Sequence, residues 1–187
     1  MGKVHERIDG RLRDFIERQH VFFVATAPSD PQGRVNVSPK GIAGTFAVVD
    51  DHTVAYLDIT ASGAETIAHL RENGRITLMF CSFERAPNVV RLHGRGRVVT
   101  VYDDEYAAWV GRFGETRGAR AVIVVDVERV SDSCGYGVPL MSYEGQRVHA
   151  EAWAAKRVRT HGAEAMRDYS AENNAVSIDG LPALEQA

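Results

Sequence analysis

The chain has 187 residues, 44% hydrophobic and 25% charged, enough for one sizeable core with an appendage. Its formal net charge of −3 offers none of the concentrated basic charge that nucleic acids or acidic membrane surfaces call for. No apolar run approaches a membrane span, and Cys81 and Cys134 stand far apart, so neither a disulfide framework nor a structural zinc site is indicated.

The N-terminus is charged and amphipathic and lacks the apolar centre of a secretory signal, so a cytoplasmic protein is expected. Residues 8–19 put Ile8, Leu12, Phe15 and Ile16 on one helical face, with Asp9 or Gly10 at the start. Residues 21–27, VFFVATA, are β-branched and aromatic, as in a buried strand. A Pro/Gly turn cluster joins them to RVNVSPKG as a hairpin. There Val35 and Val37 alternate with Arg34, Asn36 and Ser38, giving one apolar and one polar face, and Pro39 ends the regular ladder or marks an edge. Residues 41–50 add a short strand around TFAVV.

Residues 54–80 organise the chain as strand, Ser/Gly turn, helix and strand. Val54, Tyr56 and Leu57 suit a buried strand, and Ile67, Ala68 and Leu70 recur at helical spacing. Asn73-Gly74 stops the helix, and RITLMF returns to β. Between strand and helix, Thr60, Ala61, Ser62 and Gly63 supply hydroxyls and a pliable backbone. A helix rising from such a loop has unpaired first amides and a partial positive charge, which suits a phosphate; capping by Thr60 or Ser62 explains the same residues. Arg34 and Lys40 could bring cations to that end, and Asn36 and Ser38 could hydrogen-bond a flat heterocycle. A solvated outer face accounts for them too.

In VVRLHGRGRVVTV, Gly94 and Gly96 predict a bulge or bend in a closing barrel. Arg97 reads as an edge charge, while Arg91 and Arg95 are left open. Residues 103–113 form a short helix turning Tyr106, Trp109 and Phe113 inward, and AVIVVDV is the last strand. About six short, mostly antiparallel strands argue for a small barrel. From residue 131 the chain turns Gly-rich and irregular. Helices follow at 146–159 and 163–173, split by Gly162, and SIDGLPAL closes as a turn. Lys156, Arg157 and Arg159 read as a solvated helix face. No His, Asp or Glu spacing matches a metal site. Two parts are expected: residues 1–130, and a helical extension, 131–187, packed on the barrel or on a partner subunit.

The series FFVATA, GRVNVSPKG, VAYLDITASGAETIAHLRENGRITLMF and VVRLHGRGRV resembles the pyridoxamine 5'-phosphate oxidase-like proteins of the FMN-binding split-barrel superfamily. The resemblance runs from about residue 21 to 101. It implies a mainly β fold with helices (α+β), a six-stranded antiparallel split barrel, and a homodimer with flavin mononucleotide (FMN) at the interface. It carries cofactor roles to Arg34, Asn36, Val37, Ser38, Lys40, Ser62, Gly63 and Thr66. Arg34 and Lys40 would favour the phosphate, Ser62 and Thr66 would donate hydroxyls, and the backbone at Val37 and Ser38 would run along the ring. It implies an oxidoreductase acting on an unknown small molecule, with a non-catalytic flavin- or deazaflavin-binding dimer, or an empty relative, as alternatives. Glu65-Thr66 replaces the Arg-Lys pair of true pyridoxamine phosphate oxidases. Val89 stands near where they carry Gln, and their closing Arg-Leu-x-Pro segment is missing, so vitamin B6 oxidation is not expected.

Overall fold

The computed structural model describes residues 2–114 and 118–184. Among them the elements run β1 (Lys3–His5), α1 (Gly10–Glu17), β2 (Phe22–Thr26), β3 (Asn36–Lys40), β4 (Phe46–Val48), β5 (Thr53–Ile59), α2 (Glu65–Asn73), β6 (Arg75–Cys81), β7 (Val89–Thr100), α3 (Tyr106–Val110), β8 (Ala119–Ser133), α4 (His149–His161) and α5 (Ala165–Asn173). The strands form one antiparallel sheet in the order β3-β2-β6-β7-β8-β5-β4, with β1 on the far end of β8. The sheet curls into a half-barrel whose two ends, β3 and β4, are not paired with each other. The described strands number eight, more than the expected six. Lys3–His5 has no apolar alternation to announce it and is held by pairing with Val130, Ser131 and Asp132.

Each segment forms for a local reason. Asp9 caps α1 by accepting from the Leu12 amide at 2.8 Å, and Leu12, Phe15 and Ile16 are buried beneath it. Gly74 ends α2 in the left-handed region, φ 70°, where its amide returns to the Leu70 carbonyl. The β7 register shifts between His93 and Gly94, the bulge that the glycines foretold; a Cβ at Gly94 would lie 2.1 Å from the Asp126 carbonyl oxygen.

Phe22 anchors the main core, its ring 5.0 Å from Phe46, 5.6 Å from Tyr56 and 5.3 Å from Phe80. On the opposite face of β5, β7 and β8, a second cluster of Ala55, Leu57, Val99, Val122 and Val124 takes Tyr106, Trp109 and Phe113, as expected. Because β8 is covered on both faces over residues 121–125, AVIVV reads there as an unbroken apolar run.

One charge reading is corrected and one is sharpened. The β6 ladder on β7 stops at Arg95, so Arg97 stands on a stretch of β7 paired with β8 alone. It pairs with Glu105 at 2.6 Å and lies over the Trp109 ring. Arg157 lies over the Trp153 and Tyr169 rings between α4 and α5 rather than on a solvated face. The closing turn at 177–181 returns to the barrel: Val176 bridges Pro182, and Ala183 and Leu184 are buried in the main core.

Candidate functional site

The polar alternation of β3 faces inward. Pairing with β2 sets Lys40 opposite Phe22, Ser38 opposite Val24 and Asn36 opposite Thr26, all on the core side. Val35 and Val37 are the exposed ones, at 70% and 62%. The solvated-face reading of Asn36 and Ser38 therefore fails.

β3 and the start of α2 meet directly. Asn36 donates from Nδ2 to Thr66 Oγ1 at 3.1 Å and to Thr26 Oγ1 at 3.2 Å. Thr26 Oγ1 in turn lies 3.0 Å from His69 Nδ1. Burial holds the His69 pKa below its usual value, against the opposing carboxylates of Glu65, Glu72 and Asp179, so the ring is neutral near pH 7. The capping reading of Thr60 and Ser62 is also overturned. Ala64 occupies the N-cap of α2 and no side chain caps the helix. Thr60 is buried, and Ser62 stands exposed on the loop.

Beneath the loop lies a buried ion cluster that the sequence reading missed. Asp58, 1% exposed, accepts from Lys40 Nζ at 3.1 Å and from Arg120 Nε at 2.8 Å. Arg120, 6% exposed, also donates from Nη2 to the Gly63 carbonyl at 2.7 Å and so holds the loop from below. Burial pushes the Asp58 carboxyl up, but Arg120 and then Lys40 outweigh it, and its pKa lies below the usual value. Among the described residues, the buried polar atoms here without a hydrogen-bond partner include Arg120 Nη1, Ser38 Oγ, Tyr56 Oη and His69 Nε2. Buried donors are rarely left unpaired, so such atoms mark a place for a polar ligand or water. The only outward signal was an Asp and an Arg set beside apolar strand runs, since such charges are seldom buried unless paired.

Arg34 lies at the rim. Its backbone amide donates to Asp179 Oδ2 at 2.7 Å and its guanidinium pairs with Asp179 Oδ1. Asp179 belongs to the closing turn, which also touches the loop. Ile178 N donates to Glu65 Oε2 at 3.0 Å, and Asn174 Nδ2 donates to the Ala61 carbonyl at 2.9 Å. At the far end of β3, past Lys40, opens a cavity of about 710 Å³ walled by Phe23, Pro39, Ile42, Met141 and Tyr143. That volume is in the range of small-molecule sites. The predicted residues thus fall into one neighbourhood. Asn36, Ser38, Lys40, Gly63 and Thr66 face inward or touch the cluster, Arg34 and Ser62 are exposed beside it, and the Val37 side chain points away.

Among the described residues, no group of three His, Cys, Asp or Glu could hold a metal, and no helix is long and apolar enough to cross a membrane. A family model described as pyridoxamine 5'-phosphate oxidase matches residues 8–134. The pyridoxamine 5'-phosphate oxidase family protein ustO of Aspergillus flavus is 42% identical over 196 residues, covering 98% of this chain and 78% of that protein. Two crystal structures of HupZ from Group A Streptococcus share the fold at TM-scores of 0.54 and 0.51. Their identities are 28% and 29%, over 67% and 66% of this chain and 99% and 91% of theirs.

Proposed function

The chain belongs to the pyridoxamine 5'-phosphate oxidase family, and on that premise we propose that it binds FMN between β3 and the start of α2 and uses it as an oxidoreductase. The observation that carries this reading is the Asn36–Thr66 hydrogen bond, which joins a cationic polar strand to an uncapped helix start above a buried arginine with a free Nη1. The α2 amides, Arg34 and Lys40 would take the phosphate, with hydroxyls from Ser62 and Thr66. Gly63 would let the backbone approach closely, Arg120 would hold the loop in place, and Asn36 and Ser38 would face the ring, with the Val37 backbone beside it. Bound flavin supplies the hydride chemistry, so the protein's part is binding, orientation and exclusion of water. The exposed Val35 and Val37, on a strand with a free edge, support pairing with a second copy of the chain and so a homodimer.

A second reading, a flavin- or deazaflavin-binding dimer without turnover, draws on Glu65 and Asp179. Both set carboxylates where a phosphate would come. Denaturing the purified protein and identifying the released molecule by mass spectrometry tests the cofactor, with FMN expected. Release of no flavin, and no uptake of added FMN, would contradict it. Reduction of the loaded protein by a nicotinamide, followed by turnover of an acceptor, separates the enzyme from the binding protein.

A further inference from the structure

The ionic groups of the cradle balance. Arg34, Lys40 and Arg120 are its cations. Asp58 answers Lys40 and Arg120 at 3.1 and 2.8 Å, and Asp179 answers Arg34. The sixth group is Glu65, whose Oε2 accepts the Ile178 amide at 3.0 Å. Its Oε1 lies 3.5 Å from where a Cβ on Gly63 would stand, so the carboxylate folds back over the loop at the helix start. With His69 neutral, three cations meet three carboxylates around an uncapped helix end. Two of those carboxylates, Glu65 and Asp179, either belong to the closing turn or are tied to it. The turn is itself anchored by Asn174 on Ala61 and by Ala183 and Leu184 in the core.

We propose that the closing turn sets the charge selectivity of this site: Asp179 and Glu65 bring the cradle to neutrality, so that it favours a singly charged phosphoryl group over a dianionic phosphomonoester. A single negative charge is matched by the helix end and the free Nη1 of Arg120 without disturbing the turn. A second charge meets Glu65 at close range and is accommodated when Asp179 gives up Arg34. The inference rests on the flavin reading above and adds which phosphate chemistry the flavin carries most easily. Asp179 and Glu65 are selectivity residues in this account, acting on the ligand through charge and through Arg34.

Three flavins that differ only at the phosphate provide the test: riboflavin, uncharged there; riboflavin 4',5'-cyclic phosphate, a monoanionic diester; and FMN. Flavin fluorescence gives their affinities for the apoprotein. The wild type is expected to bind the cyclic phosphate more tightly than FMN, and tighter binding of FMN overturns the proposal. Glu65→Gln keeps the acceptor for the Ile178 amide and removes the charge; Asp179→Asn removes the charge and keeps one of the two acceptors that serve Arg34. Each is expected to raise the preference for FMN over riboflavin by about tenfold, as loss of one nearby charge implies. Arg34→Gln added to Asp179→Asn should cancel that gain. An unchanged FMN-to-riboflavin ratio in both single variants, with flavins still bound, overturns the proposal and leaves the flavin site standing. A disturbed turn that weakens all three ligands equally leaves the ratio unchanged and counts against it too. No binding of any of the three by the wild type overturns the flavin reading itself.

Discussion

Asp58→Ala is expected to lower the unfolding free energy by about 3–5 kcal/mol at neutral pH, the usual cost of removing one partner from a buried ion cluster. The carboxylate is 1% exposed and, among the described residues, is the side-chain hydrogen-bond acceptor for both Lys40 and Arg120. Its removal strands two cations that cannot both reach water, since Arg120 is itself buried. Thermal melting should show a fall of about 6–20 °C for a chain of this size. The pH dependence follows from the same contacts. The Asp58 pKa lies below the ordinary carboxylate value, so the folded state binds that proton more weakly than the unfolded chain does. The stabilisation is complete above about pH 4 and is lost as pH falls through the folded value. Wild type should therefore lose stability on acidification below about pH 4, and Asp58→Ala should show a shallower decline there. Equal slopes in both proteins would show that the cluster contributes nothing.

Arg120→Lys is the second large effect, on ligand affinity. Lysine keeps a positive charge near Asp58 but lacks the planar fork that serves Asp58 and the Gly63 carbonyl together. The loop then loses its support from below, and the free Nη1 disappears from the cradle. A lost hydrogen bond from a charged donor is worth about 1.5–3 kcal/mol, so FMN affinity should fall by roughly tenfold to a hundredfold. The retained charge keeps the melting temperature far closer to wild type than in Asp58→Ala. Unaltered FMN affinity in Arg120→Lys would remove Arg120 from the site.

Much of this neighbourhood could be read in advance, and the limits have physical causes. The alternation of residues 34–40 was plain, and so was the Ser/Gly loop before α2. Which face of the strand turned inward was not, because a period of two fixes alternation but not direction. That was decided by the pairing of Thr26 with Asn36 and of Val24 with Ser38. The loop hydroxyls looked like caps because Thr and Ser are common caps, yet Ala64 takes that position and Thr66 serves Asn36 instead. Asp58 and Arg120 lie 62 residues apart, and Arg34 and Asp179 lie 145 apart. No local pattern pairs groups so distant. Only the strand order, β8 beside β5, and the return of the closing turn to the barrel make them neighbours.

The central claim is that β3 and the start of α2 together hold the phosphate end of a flavin. Amide resonances of isotopically labelled apoprotein, followed while FMN is added, test it most directly. The account predicts that the largest shifts fall on Gly63, Ala64, Glu65 and Thr66 and on Asn36 to Lys40, with smaller ones at the closing turn. Shifts confined to other parts of the chain, with both of these segments unmoved at saturation, would contradict it.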